Sequence, residues 1–269
     1  MSEEPVIPPI LRDKQYSESS DFTPASLLRE ARRQKRLPAE NVPAVCVLDP
    51  DGDIVRYLVA TGAARRDSTW ACYHSDLYRF EQAGREYGIV GCAVGASYAV
   101  LLAEQMFATG CELLISITSS GQIVSLGPSP YFILIDKALR DEGTSYHYLP
   151  PANYAIVDDR LADMAMAGLS GFGEPVKRGA TWTTDAPFRE TRSAIAAAAA
   201  QSLLAVEMEA AALYAFAQSQ RRDILCFAHV TNQMGRSERD FEKGEANGAV
   251  AALSLIAAVT ESWSVFSAR

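Results

Sequence analysis

The stretch AVEMEAAALYAFAQ, residues 205–218, decides how this chain is read. It has the alanine-rich, apolar composition of a buried helix, yet two carboxylates, Glu207 and Glu209, open it. They are the only charges between Leu203 and Ala217. An ionised carboxylate among Ala, Leu, Val, Met, Tyr and Phe is costly unless it is paired or hydrogen-bonded. Residues i and i+2 lie on different sides of a helix, so both glutamates converge on one ligand only if the helix is just beginning there. A carboxylate has lone pairs for both hydroxyls of a vicinal diol, and Met208 between them suits packing on a sugar ring. The competing reading is an ion pair between one glutamate and an arginine from elsewhere.

The flanking sequence alternates strand and helix signals. GATWTTDAPFRETR (residues 179–192) reads as a strand becoming a functional loop, and residues 193–218 read as helical, with IAAAAA (195–200) a run of good helix formers. RRDILCFAHVTNQ (221–233) reads as strand then loop, and residues 247–266 as a closing helix. Upstream, Thr23-Pro24 supplies a cap and a proline for a helix to about Arg36. VPAVCVLD (42–49) is a buried strand ending in the turn signal Asp-Pro-Asp-Gly. YGIVGCAVG (87–95), ELLISITSSG (112–121) and YFILIDKAL (131–139) read as further strands, the first followed by a helix closed at Gly110. This spacing predicts one α/β domain with a mixed, largely parallel sheet flanked by helices. Residues 1–40 form an extension with a basic helix, residues 41–269 the main domain, and residues 1–22 wrap over a surface.

The 269 residues are 48% hydrophobic and carry a net charge of −8, which argues against a nucleic-acid or anionic-membrane surface. The basic run LLREARRQKR (27–36) reads as a solvated helix face or subunit contact, with ligand binding the less favoured reading. Five dispersed cysteines with no CxxC, and three histidines in no metal spacing with them, point to reduced thiols in a cytoplasmic protein without a metal. No apolar run approaches a membrane span of ~20 residues. Ligands of such sheets bind at the carboxyl ends of strands. DPDGD, GCAVGAS, SITSSG and VTNQ meet that condition, although GCAVGAS fails the dinucleotide pattern and no P-loop lysine is present.

VEMEAAALY (206–214) resembles the signature of the nucleoside phosphorylase family, which includes uridine phosphorylase, hexameric purine nucleoside phosphorylase and the methylthioadenosine nucleosidases. The likeness extends through YRFEQAGREYGIVGCAVGAS, AVLLAEQMFATGCELLISITSSGQI, GATWTTDAPF and VTNQ, from about Val42 to Phe266. The resemblance implies that Glu209 binds the ribose hydroxyls, with Met208 against the sugar and Glu207 supporting it. It implies that Phe188 stacks on the base, and that Asp185, Arg189, Glu190 and Arg192 line one loop. Arg192 and Gln233 are then candidates for the base carbonyls, with Asn232 beside them, Gly95 in a substrate loop, and Ser119 and Ser120 near the anomeric carbon. It also implies a homo-oligomer, a dimer or trimer of dimers, with a nucleoside substrate, phosphate as co-substrate and no other cofactor.

The chain departs from that pattern where phosphate is held. Asp49 stands at an expected glycine, Asp53 and Ser116 at expected arginines, and Tyr73 or His74 where a neighbouring subunit's arginine is expected. Arg56, Arg65 and Arg66 are the candidate substitutes. Asn232 stands where purine-specific members place an aspartate, and although Gln233 follows it where the pyrimidine branch commonly has arginine, it tilts the reading to a uridine-like nucleoside. The expectation is therefore a uridine-type phosphorylase, with a water-using nucleosidase or a non-catalytic nucleoside binder as alternatives.

Overall fold

The computed structural model describes residues 7–233 and 241–267. In chain order the elements are α1 (Pro24–Lys35), β1 (Val45–Asp49), α2 (Asp53–Ala60), β2 (Ala64–Arg66), β3 (Tyr78–Gln82), β4 (Arg85–Gly91), α3 (Ala96–Phe107) and β5 (Leu113–Gln122). They continue as β6 (Tyr131–Asp141), β7 (Tyr154–Ile156), α4 (Asp159–Gly168), β8 (Val176–Thr184), α5 (Arg192–Ala200), β9 (Ala205–Glu207), α6 (Ala210–Gln220), β10 (Asp223–Asn232) and α7 (Ala249–Ser267).

The strands form one mixed sheet in the order β10-β6-β8-β9-β5-β1-β4-β3-β2, with β7 on β6. β10 also pairs with β5, so β5, β10, β6, β8 and β9 close a ring. The β1–β4, β1–β5, β10–β5, β6–β8 and β8–β9 ladders are parallel. The hairpin strands β2, β3 and β4 are antiparallel, as are the β10–β6, β6–β7 and β5–β9 pairs. Strands β1 and β10 are buried almost throughout, as strands covered on both faces must be.

One property of β5 positions the site. β10 runs along one edge of β5 from Leu113 to Gly121. On the other edge β1 pairs only as far as Ser116, and β9 takes over at Gly121. Between them Ile117 to Ser120 face a gap in the sheet, at the carboxyl ends of β1 and β5.

Helix α1 starts as its sequence predicts: Thr23 and Ser26 cap each other reciprocally and Pro24 occupies the first turn. Its Leu28 and Ala31 are buried while Arg29 and Arg33 stay in solvent beside Glu30. Before it, Lys14 hydrogen-bonds His147 and the Tyr16 hydroxyl donates to the Tyr146 carbonyl, so the described part of the leading segment lies on the surface. Its first six residues lie outside the described ones.

Two expectations need correction. Residues 193–218 are not one helix: α5 ends at Ala200, Ser202 adopts a left-handed φ of 59°, and β9 intervenes before α6. Pairing of β9 with β5 and β8 overrides the helix propensity of the alanines. The chain's end does contain a helix long and apolar enough to cross a membrane by length and composition, residues Glu245–Ser267 with mean hydropathy 1.6. Here it serves as a core helix, burying Leu255, Ile256, Val259 and Trp263, and the Trp263 indole donates to Asp223.

Candidate active site

Glu207 ends β9 and Glu209 is the N-cap of α6, so the helix begins between them, the condition under which both can face one cavity. Neither enters an ion pair among the described residues. The Glu207 carboxylate accepts from the N–H groups of Glu209 (2.8 Å) and Ala210 (2.7 Å), from the Thr181 hydroxyl (3.0 Å) and from the Thr183 hydroxyl. Thr183 Oγ1 in turn accepts from the Ala211 N–H. The first N–H groups of a helix have no intrahelical partner, and Glu207 with Thr183 satisfies three of them. Burial raises the Glu207 pKa against these bonds. With four donors on two oxygens, its carboxylate is committed to holding the turn that carries Glu209.

Glu209 is only 1% exposed, yet its acceptor capacity is not used up. Its carboxylate accepts from the Gly95 N–H at 2.7 Å and more weakly from the Met208 N–H at 3.3 Å. Gly95 has φ +95°, a conformation side-chain-bearing residues rarely adopt, and caps α3. Glu209 thus sits between the N-termini of two helices. Burial, reinforced by the neighbouring Glu207 charge, pushes its pKa up to about 8; bonds from Gly95, Thr118 and Met208 oppose the shift.

Both glutamates line a cavity of about 1130 Å³ over the gap in the sheet. Thr118, Ser119 and Gly121 of β5 form its floor, with Met208 and Asn232. Phe188, Glu190 and Arg192 stand on the rim with Val94 and Phe241. Phe188 is 100% exposed, an apolar ring presented to solvent at the cavity mouth. Glu190 is half-buried, and burial raises its pKa. The alanine run has a use beyond helix propensity, because Ile195, Ala196 and Ala199 of α5 form one wall.

Other sequence candidates lie elsewhere. Asp185 accepts from the Gly143 N–H and stands outside the cavity lining. Ser120 is buried, its hydroxyl directed to the Thr118 carbonyl. Gln233 follows β10 and is exposed, outside the lining. Gly95 reaches the site through its N–H rather than as cavity wall. Arg56 pairs with Asp53, Arg65 with Glu86 and Arg66 with Asp76, and none lines the cavity. Tyr73 donates to Gln34 and the His74 carbonyl accepts from Tyr98. Arg192 is the one basic residue lining the cavity among the described residues.

The acidic turn after β1 is divided by function. Asp49 is buried and accepts from the N–H groups of Gly52 (3.0 Å) and Val55 (2.9 Å), closing the turn; burial and the neighbouring Asp51 and Asp53 push its pKa up to about 7. Asp53 accepts from Arg56 (2.7 Å) and Lys243 (2.6 Å). Burial works to raise its pKa, but those cations outweigh it and hold the carboxyl below the usual range. Asp51 is the one that enters the cavity wall. Its Oδ2 accepts from the Ser119 N–H (2.7 Å) and its Oδ1 from the Ser119 hydroxyl (2.8 Å), with Lys243 Nζ at 3.6 Å. A carboxylate therefore occupies the donors at the sheet gap. The buried Ser116, at an expected arginine position, lies outside the cavity with its hydroxyl unpartnered among the described residues. The reading from sequence passed over Asp51, although aspartates at alternate positions 49, 51 and 53 mark a loop that presents carboxylates.

Comparison with known proteins agrees with this architecture. Two structures of uridine phosphorylase from Vibrio fischeri ES114 are similar at 18% identity. One has a TM-score of 0.69 and covers 82% of this chain and 93% of that chain. The other, complexed with 6-hydroxy-1-naphthoic acid, has a TM-score of 0.68 and covers 81% and 90%. No curated protein matches the sequence. The family model of the phosphorylase superfamily matches residues 45–262, nearly all the structured chain beyond α1, and the protein belongs to that superfamily.

Proposed function

We propose that the protein cleaves the N-glycosidic bond of a uridine-like nucleoside and that water, activated by Asp51, is the acceptor. One observation carries the choice of acceptor: the Asp51 carboxylate takes both Ser119 donors at the cavity floor. Arg–phosphate pairs are strong charge-assisted contacts, and Arg192, on the rim, is the one basic residue lining the cavity among those described. A phosphate entering at Ser119 meets Asp51 first and is repelled.

The chemistry follows from the same groups. Glu209 in its ionised form accepts both hydroxyls of the pentose, and Met208 packs beside the ring. Phe188 covers the base, and Arg192 with Asn232 donates to its carbonyls as negative charge develops there. Each Asp51 oxygen keeps a lone pair after its bond from Ser119, enough to accept a proton from water. As the C1′–N bond breaks and its electron pair leaves with the base, the water oxygen bonds to C1′ and Asp51 takes one water proton. That proton passes through solvent to the departed base. The products are free pentose and free base, with no group left on the enzyme.

Phosphorolysis is the second reading, favoured by the superfamily and by the Ser119 donors, which suit a phosphate oxygen once Asp51 turns aside. Incubation of purified protein with uridine, thymidine, inosine and methylthioadenosine, each with and without phosphate, separates the two. Free pentose formed at a phosphate-independent rate is expected. A sugar 1-phosphate formed only with phosphate overturns the hydrolytic assignment.

A further inference from the structure

Behind Asp51 lies a second, much smaller chamber of about 20 Å³, lined by Asp49, Asp51, Asp53, Ser119, His229 and Lys243, with Asn247 and Gly248 at one side. Asp51 and Ser119 line both spaces and form the partition between them. A water needs about 10–15 Å³ by this measure and two to four polar partners, so the chamber has room for one.

His229, on β10, is the unexplained member of this wall. It is 5% exposed, and its ring stacks on Phe132 with centroids 4.4 Å apart and planes 14° from parallel. Burial and the nearby Lys243 push its pKa down to about 4, which keeps the imidazole neutral. Its Nε2 has no hydrogen-bond partner among the described residues, an unusual state for a buried ring nitrogen. The ring is also placed at a cost to the chain. Gly248 has φ +81°, and a Cβ there would stand 2.3 Å from His229 Cε1. A packing role alone would be served by phenylalanine.

We propose that the chamber binds a single water bridging His229 Nε2 to the Asp51–Asp53–Lys243 cluster, and that His229 acts through it as a positioning residue for Asp51. The proposal rests on Asp51 being the base that activates the attacking water. Ser119 holds Asp51 on one side and Lys243 holds Asp53 next to it. The bridging water supports the Asp51–Asp53 cluster from the side away from the large cavity, so that the Asp51 lone pairs not used by Ser119 face that cavity.

A high-resolution crystal structure of the wild type, with the His229→Phe and His229→Gln variants assayed beside it, tests this. Density for a water within hydrogen-bond distance of His229 Nε2 and of Asp51 or Asp53 is expected. His229→Phe keeps the ring stack but loses the water, and kcat falls about ten- to a hundredfold at unchanged KM, the scale of a misplaced catalytic group. His229→Gln, which restores a polar atom near the Nε2 position, recovers most of kcat. An occupied wild-type density peak with equal kcat in both variants overturns the positioning role, and an empty chamber overturns the proposal whether or not either variant folds. A wild type that cleaves no nucleoside overturns the hydrolytic reading and the positioning role with it, while the density still decides the water.

Discussion

Asp51 and Ser119 join the ends of two neighbouring parallel strands through a pair of hydrogen bonds, 2.7 Å from the serine N–H and 2.8 Å from its hydroxyl. The contact bridges the gap where β1 has left β5 and β9 has not yet joined it. A backbone N–H that lacks a ladder partner is thereby satisfied by a side chain that also lines the cavity.

Asp51→Asn tests the proposed base. The amide preserves shape and accepts the Ser119 N–H through its oxygen, but cannot take a proton from water. The expected result is a loss of kcat of about a hundred- to ten-thousandfold, the range for general-base removal, with KM and melting temperature nearly unchanged. Steady-state kinetics with product identification measures it, and wild-type turnover in the variant removes Asp51 from the mechanism.

On the proposed reading, Glu209→Ala removes two charge-assisted hydrogen bonds to the sugar, worth ~1.5–3 kcal/mol each. A drop in kcat/KM of about a hundred- to ten-thousandfold is expected, with circular dichroism unaltered. Binding of a 2′,3′-dideoxynucleoside, measured by calorimetry, is expected to change little between wild type and variant. An equal loss for both ligands places the diol elsewhere.

Glu207→Ala should damage the fold rather than the sugar contact alone. It strips the N–H groups of Glu209 and Ala210 of their acceptor inside the protein. Each buried group left unpaired costs about 1–3 kcal/mol, so a stability loss of about 2–6 kcal/mol is expected in urea unfolding. A change within 0.5 kcal/mol, the usual size for inconsequential surface substitutions, shows that water replaces the carboxylate without penalty.

Stability should fall as pH rises from about 6.5 to 8. Glu209 moves from an ordinary 4.5 to about 8 on folding, and Asp49 from 3.8 to about 7. The folded state therefore holds protons that the unfolded chain has already released, and raising pH through that interval favours unfolding. His229 works oppositely, from 6.5 down to about 4, but its effect is confined to lower pH. Thermal melts of wild type and Glu209→Gln across this interval are the check: the variant should lose a visible part of the decline, and identical slopes refute the shift.

Glu209 was legible in the sequence because a charge in an apolar run demands a reason, and the helix start it required is present. The duty of Glu207 was not, since its hydroxyl donors Thr181 and Thr183 lie more than twenty residues earlier in the chain. The split between α5 and α6 was hidden by alanines that suit a helix throughout, whereas strand pairing decides their fate. α2 was missed as an eight-residue helix hard against a turn. The acidic turn announced itself, but which aspartate faces the cavity depends on the backbone of that turn. Asp49 folds back onto Gly52 and Val55, and Asp53 turns to Arg56 and Lys243.

The split edge of β5 has a bearing on how such a catalyst diversifies. Its floor, Thr118 and Ser119, belongs to a strand braced by three others, and so resists displacement when neighbours mutate. The rim, with Phe188, Glu190, Arg192 and Phe241, is built from residues outside the strands of the sheet. On the proposed reading, drift at the rim therefore exchanges one leaving group for another while Asp51 and Ser119 beneath it stay in place.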